Sequence, residues 1–482
     1  MSVPADAAVD AQAQPMQWWK QLGEPRYIAA PMVLQSELAY RKLLRQHGVS
    51  LCYTPMITAT SLLLSLRSAD EEARRQSAHD PNMLAVETAR RRRLAFLENS
   101  FDPAVLHDSD RAGVPAADPV PDRPLFAQLA ANEPDIFLQA ALELQAIGGI
   151  DAIDLNLGCP QARAKRDNFG AFLLRDHLPL VCKMVSYAVQ SKELRLPITV
   201  KIRRSSSVKE TVAVTNALVR AGASLVCVHG RPIGIKNHQG PADHSHVAAV
   251  HAAFHGADNS SSGERDCVPV IANGNIWSAE DAESVLAETK CEGVMLASAL
   301  LDDFALLTRR NSDNVSHTAE DVATTALTRC RKYLDSASQH TPAVPKTIKD
   351  HLMTFLRKAI APTWKREPNS GTNDWADLWI ALGARFEPGR TRLVRRSSGK
   401  IAVKHGGPTV LGASTTIAGP PGKRVKCDND DATTSNAVLK QPNKSDLVPQ
   451  AGSLALKFYN DIVDEVERRF DVKNGRSDNT QE

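Results

Sequence analysis

A cysteine displayed on a turn, with cations close behind it, is the chemical focus of this chain. In Asp151-Ala-Ile-Asp-Leu-Asn-Leu-Gly-Cys-Pro-Gln161, Ile153, Leu155 and Leu157 alternate with Asp154 and Asn156. That period of two marks a strand. Gly158 and Pro160 break it, so Cys159 stands on the turn that follows. Lys165 and Arg166 come next, and Gly170 opens the apolar run Ala171-Phe172-Leu173-Leu174. A thiol so placed can attack as a thiolate or give up a proton, and a small buried core cysteine is the bland alternative.

The elements that must hold such a turn repeat along the chain. Strand-like apolar runs fall at 27–33, 49–54, 124–129, 151–157, 197–202, 224–229, 268–273 and 293–297. Amphipathic stretches at 36–45, 134–147, 177–189, 209–221, 243–254 and 278–288 alternate with them, with Ser36 and Ser278 as candidate caps. This alternation predicts a parallel α/β architecture, and eight units favour a closed (β/α)8 TIM barrel over an open sheet. No GxGxxG follows the first strand, which weakens a dinucleotide-binding fold.

Beyond residue 315 the pattern turns helical, at 318–336, 344–360 and 374–382. The second helix carries Lys346, Lys349, His351, Arg357 and Lys358, a basic side. The predicted organisation is a disordered leader over 1–25 and a barrel over 26–310 carrying a surface insertion at 66–123. A smaller all-helical domain over 315–385 follows, then a mostly disordered basic tail over 386–482. A last helix within 454–470 has no evident place. A shorter polar insertion is expected near 256–266.

With 43% hydrophobic residues, the chain can bury a sizeable core. No run of about 18 apolar residues occurs, so no membrane association is expected. The first residues lack the cationic start and apolar core of a secretory signal. The eight cysteines form no CxxC pair, so neither a disulfide framework nor a metal site is suggested. A reducing compartment, cytoplasmic or nuclear, is the expectation. The formal charge of +3 is too small to name a partner.

In a barrel of this type the site forms at the C-terminal ends of the strands. Those ends carry Pro31 and Met32, Pro55, Gln128, Asn156 and Cys159, Lys201 and Arg203, His229 and Arg231, Asn273-Gly274-Asn275, and Ala297-Ser298. The set holds amide, thiol, ammonium, imidazole and guanidinium groups, with no carboxylate pair. Two-carboxylate glycosidase chemistry and metal-assisted hydrolysis therefore lack their essential groups. The Gly-rich turn after strand seven and the small residues after strand eight suit a phosphate, while Lys201, His229 and Gln128 suit the polar edge of a flat ring. A flavin mononucleotide, FMN, satisfies both. Singly, Lys201 also reads as an ion-pair partner, His229 as a core histidine and Asn273-Gly274 as a turn.

These residues resemble the tRNA-dihydrouridine synthases. The resemblance rests on Ala30-Pro-Met32, Leu51-Cys-Tyr-Thr-Pro-Met56, Asp154-Leu-Asn-Leu-Gly-Cys-Pro160, Val200-Lys-Ile-Arg203, Val228-His-Gly-Arg231 and Ala272-Asn-Gly-Asn-Ile276. Asn156-Leu-Gly-Cys-Pro-Gln161 with Ala164-Lys-Arg166 and Gly170-Ala-Phe172 is similar to the eukaryotic branch acting on D-loop positions 16 and 17. Ala297-Ser298 replaces the Gly-Arg of bacterial members, while Pro232 stands where Thr is common and the loop after it is altered.

The resemblance implies an enzyme with FMN bound noncovalently, NADPH as reductant and tRNA as partner, with no stable protein partner expected. Hydride passes from flavin N5 to uracil C6, and Cys159 protonates C5. Pro31, Met32, Val33, Gln128, Lys201, His229, Asn273, Gly274, Asn275, Ala297 and Ser298 are implied to contact FMN. Asn156, Lys165, Arg166, Arg203 and Arg231 are the expected substrate contacts, Lys165 and Arg166 meeting RNA phosphate. Two other readings compete: an FMN reductase of a small pyrimidine, similar to dihydroorotate dehydrogenase, and a non-catalytic tRNA-binding protein.

Overall fold

Five strands of four or more residues are buried at every residue: β4 (Leu125–Ala130), β5 (Ala152–Leu157), β7 (Leu225–His229), β8 (Val270–Asn273) and β9 (Gly293–Leu296). That is the condition of a parallel sheet covered on both faces, and it is why these segments read as apolar runs. The computed structural model describes residues 14–66, 122–235, 240–256, 267–308, 319–340, 345–366, 391–395, 401–405 and 457–465. The chain divides into two units, Met1–Asp313 and Asn314–Glu482.

In the first unit, β1 (Tyr27–Ala29), β2 (Cys52–Tyr53), β3 (Ile57–Thr58) and β6 (Ile198–Arg203) complete a parallel sheet of order β1-β9-β8-β7-β6-β5-β4-β2. The Ala29 amide donates to the Leu51 carbonyl at 2.9 Å, joining β1 to the chain entering β2 and closing the ring. Both β2 and β3 pair with β4, so together they fill one barrel position, split at Pro55. Proline has no N–H to give the ladder, which explains why the predicted second strand breaks there. The architecture is the predicted (β/α)8 TIM barrel.

The helices are α2 (Leu38–Gln46), α3 (59–66), α4 (Pro134–Ile147), α5 (Ala162–Arg166), α6 (Gly170–Asp176), α7 (Leu178–Val189), α8 (Val208–Arg220), α9 (Ser245–His255), α10 (Ala279–Thr289) and α11 (Ser298–Asp302). Ser278 caps α10 as expected, in a full capping box with Asp281. Ser36 does not cap α2. Its hydroxyl instead donates to the Met32 carbonyl at 2.9 Å and accepts from the Met32 amide, tying down the β1–α2 loop.

Two expectations about the first unit need correction. The leader is not disordered throughout 1–25, because α1 (Pro15–Gln21) buries Trp18 and Trp19, and Trp18 stacks on Phe126 of β4 at 5.6 Å. Burying two indoles outweighs the polar composition around them. Asp122, read as part of the solvated insertion, is buried against Arg41 (2.6 Å) and Arg45 (3.0 Å). Burial raises its pKa, but the two guanidinium charges and their hydrogen bonds win, and the net shift is downward. In the tail over 386–482, the helix expected within 454–470 is present at 457–465. The remainder of the 66–123 insertion and residues 257–266 lie outside the described residues.

In the second unit, α12 (Ala319–Gln339) and α13 (Pro345–Arg366) pack through Leu327, Tyr333, Leu334, Leu352 and Phe355. His351 is fully buried with its ring 4.4 Å from Tyr333, so it belongs to this core and not to a basic side. The tail contributes an antiparallel pair, β10 (Thr391–Arg395) and β11 (Ile401–His405), and α14 (457–465). Phe458, Tyr459, Ile462 and Val463 of α14 are buried, and Arg331 pairs with Asp464. Apolar residues spaced by three and four give α14 a face worth burying. The third helix, predicted at 374–382, lies outside the described residues. Among the described residues no helix is long and apolar enough to cross a membrane.

Candidate active site

The strand register sets the site. Gln128, Asp154 and Thr199 are direct neighbours across β4, β5 and β6, and two residues on, Asn156 pairs with Lys201. Because side chains alternate along a strand, Asp154 and Asn156 share one face. The result is a hydrogen-bonded chain running up to the cysteine. Thr199 Oγ1 and Gln128 Nε2 each donate to the Asp154 carboxylate at 2.8 Å. Asn156 Nδ2 donates to Gln128 Oε1 at 2.8 Å, and Asn156 Oδ1 accepts from the amides of Gly158 (3.2 Å) and Cys159 (3.0 Å). Burial pushes the Asp154 carboxyl up to about 6, against the hydrogen bonds that favour its ionised form.

Above this chain opens a cavity of about 440 Å³, within the range of a small-ligand site. Pro31, Met32, Val33, Gln128, Lys201, His229, Asn273, Gly274, Asn275, Ala297 and Ser298 all line it, as do Asn156, Cys159, Arg203 and Arg231. Lys165 and Arg166 do not. They lie on the exposed helix α5, where Arg166 pairs with Asp167 at 2.7 Å. Pro55 is also absent from the lining, and Met56 takes its place.

Lys201 is a half-buried cation of the site. Its Nζ donates to Asn273 Oδ1 at 3.0 Å, while Asn273 Nδ2 donates to the Met295 carbonyl at 2.7 Å. Burial lowers the lysine's pKa, and so does Arg203 nearby. His229 is driven down to about 2, first by burial and then by Lys201, Arg203 and Arg231, so it is neutral at working pH. Its Nδ1 accepts from the Arg231 amide at 3.1 Å, which leaves the ring proton on Nε2.

Arg203 and Arg231, expected to reach substrate, are largely spent within the protein. Arg203 donates to the carbonyls of Gly158, Pro232 and Ile235, and Arg231 to the Gly240 carbonyl and Asn275 Oδ1. Asn156 is likewise committed to the cysteine loop and to Gln128. Among the described residues the lining thus carries three cations and no carboxylate. Such a cavity favours an anionic guest.

Cys159 is half-buried, packed with Met56 and Phe172 against Ala130, Ala164 and Phe169. Gly170 presses on it from behind. A Cβ there would sit 2.9 Å from the Cys159 carbonyl oxygen and 3.0 Å from its Cβ, and Gly170 has φ +68°. Only glycine fits that contact in that conformation. The turn at Gly274 (φ +108°) is equally tight, a Cβ meeting His229 at 3.0 Å.

Gln35, Gln161, Trp277 and Met295 also line the cavity without having been singled out. Trp277 carried the plainest signal, a large aromatic just after Asn273-Gly-Asn-Ile276, and it is 49% exposed at the rim.

A barrel with a strand-end thiol, a half-buried lysine and a cationic cavity defines a TIM-barrel protein whose site suits an anionic small molecule beside a cysteine. The chain belongs to the dihydrouridine synthase (Dus) family, whose profile matches residues 28–100 and 102–376. A Mus musculus protein named tRNA-dihydrouridine(16/17) synthase (NAD(P)(+))-like is 36% identical over 340 residues, 70% of this chain and 56% of the relative. The Schizosaccharomyces pombe tRNA-dihydrouridine(16/17) synthase is 29% identical over 289 residues, 59% of this chain and 57% of the relative. A Mus musculus protein named tRNA-dihydrouridine(20a/20b) synthase (NAD(P)+)-like is 28% identical over 306 residues, covering 63% and 76%. The chain spans somewhat over half the length of the 16/17-named relatives.

Proposed function

We propose that this protein reduces uridine to 5,6-dihydrouridine in the D-loop of tRNA, at positions 16 and 17, with FMN as bound cofactor and NADPH as reductant. The observation that carries the proposal is the Cys159 turn, held over a cationic cavity by the Asp154–Gln128–Asn156 chain. The position is supported by identity: 36% to a relative named for 16/17 against 28% to one named for 20a/20b, both from Mus musculus.

The residues fit a flavin mononucleotide. Gly274, Asn275, Ala297 and Ser298 would hold its phosphate, with Arg231 bracing Asn275. Lys201, Asn273 and the remaining valences of Gln128 would meet the polar ring edge, and Met32 and Met295 the apolar surface. Bound there, the reduced flavin supplies hydride for C6 of uracil.

Cys159 delivers the accompanying proton to C5, so the C5–C6 double bond is reduced as NADPH is oxidised, and the thiolate recovers its proton from solvent. Uracil must leave its stack to reach the thiol. Lys165 and Arg166, exposed on α5, meet tRNA phosphate. Residues 26–310 then serve as the catalytic barrel and 315–385 as the tRNA-holding domain. Mass mapping of tRNA from cells lacking the protein tests this: dihydrouridine should vanish at 16 and 17. Its persistence at both positions refutes the assigned specificity.

A further inference from the structure

A second cluster lies at the opposite end of the strands from the cavity. His251 and His255 are one turn apart on α9, and their rings stack at 4.3 Å. Spacing of four places both imidazoles on one helix face, as in helical zinc sites. Glu292, just before β9, faces both: its Oε1 is 3.4 Å from His251 Nε2 and 3.5 Å from His255 Nε2. Its other oxygen accepts from the Val270 amide at 2.7 Å, which fixes the carboxylate's orientation. Cys267, shortly before β8, brings its sulfur to 3.1 Å from His255 Nδ1 and 4.0 Å from Nε2.

We propose that His251, His255, Glu292 and Cys267 form a tetrahedral site for a divalent zinc-class ion. Ligand atoms ~2.0–2.3 Å from a tetrahedral zinc stand ~3.3–3.6 Å apart. The nitrogen–oxygen separations already match, and one ligand atom from each of His251, His255 and Glu292 can be chosen so that all lie within 4.8 Å of one another. To close the site one ring turns out of the near-parallel stack (11° between planes), so that both nitrogens face the ion, and the Cys267 sulfur, 4.0 Å from His255 Nε2, swings in as the fourth donor. Two nitrogens, a thiolate and a carboxylate form a donor set suited to zinc, whereas calcium and magnesium take oxygen alone. The three side chains are 15–17% exposed, which leaves a path for the ion.

Binding carries its own proton balance. The Cys267 thiol loses a proton to solvent as the Zn–S bond forms. His255 Nε2, 3.1 Å from the Val268 carbonyl, exchanges that contact for the metal, and its ring proton moves to Nδ1. The ligands come from the end of α9 and the segments entering β8 and β9, the N-terminal face of the barrel. Residues there serve stability, not chemistry. The ion is therefore a staple that pins α9 to two barrel strands.

The test uses the full chain, tag-free and stripped of metal. Zinc titration should saturate at one ion per chain and raise the unfolding temperature by several degrees. The variant H251A/H255A should lose at least about tenfold in zinc affinity and show no thermal shift. With cobalt as probe, the wild-type chain should show tetrahedral ligand-field bands and a thiolate-to-cobalt charge-transfer band that Cys267→Ser removes. If the double variant does not fold, mass-mapped alkylation of wild-type Cys267 decides: zinc should block it. Equal zinc uptake by wild type and H251A/H255A overturns the proposal, as does cobalt binding without the sulfur band or alkylation unaffected by zinc.

Discussion

Replacing Asn156 with alanine isolates what holds the thiol in place. Asn156 Oδ1 accepts from the Gly158 and Cys159 amides at 3.2 and 3.0 Å, and its Nδ2 donates to Gln128 at 2.8 Å. Alanine removes these three bonds and a fourth, from Nδ2 to the Met56 sulfur at 3.3 Å. At about 1 kcal/mol net for each of the two loop bonds, the turn loses about 2 kcal/mol of local order. Gly158 and Cys159 are half-buried, so water replaces part of the loss and the chain still folds. The kinetic cost is larger, because a misplacement of ~1 Å at a reacting group costs about 100-fold.

The two half-reactions separate this effect from damage to the cofactor site. Asn156→Ala should keep its flavin and the normal rate of flavin reduction by NADPH. Reoxidation by tRNA should slow about 100-fold, or ~2.7 kcal/mol of barrel-imposed positioning. Equal slowing of both halves would place Asn156 in the cofactor site instead. Unchanged reoxidation would refute the positioning role outright.

Gly170→Ala attacks the same turn from behind and should likewise slow tRNA-dependent reoxidation while flavin content is retained, as measured by absorbance. Asp122→Asn takes the shared carboxylate away from the buried Arg41 and Arg45 and should cost ~3–5 kcal/mol in denaturant unfolding. In the wild type Asp122 has a depressed pKa, so its contribution holds above the unfolded value of 3.8 and is lost as pH falls through the folded value. Asp154 has the opposite sign. Its pKa rises from 3.8 to about 6, so the folded state binds more protons in that window and stability falls as pH climbs through it. At ~1.4 kcal/mol per unit the effect is on the order of 3 kcal/mol. Subtracting the pH profile of Asp154→Asn from that of the wild type should recover it.

The sequence made the barrel legible because its strands are buried on both faces and so spell unbroken apolar runs. Its limits follow from physics as well. β1 ends at Ala29 and β2 at Tyr53, before Pro31 and Pro55, because proline has no N–H to give the ladder. α1 was hidden by polar neighbours, since two tryptophans give no period to read. The strand-end residues were legible as a set, because the barrel rule assigns them to one rim. Which way a guanidinium turns is not written in its position, and Arg203 and Arg231 turned to backbone carbonyls. His251, His255, Cys267 and Glu292 carry no CxxC-like spacing. Only the fold brings the last two beside the helix.

Cys159→Ala tests the central claim most directly. In stopped-flow with bound flavin, NADPH should reduce the variant at the wild-type rate, and the reduced flavin should then fail to be reoxidised by unmodified tRNA, with no dihydrouridine formed. Wild-type reoxidation and dihydrouridine formation by this variant would contradict the account, because the proton for C5 would then come from elsewhere.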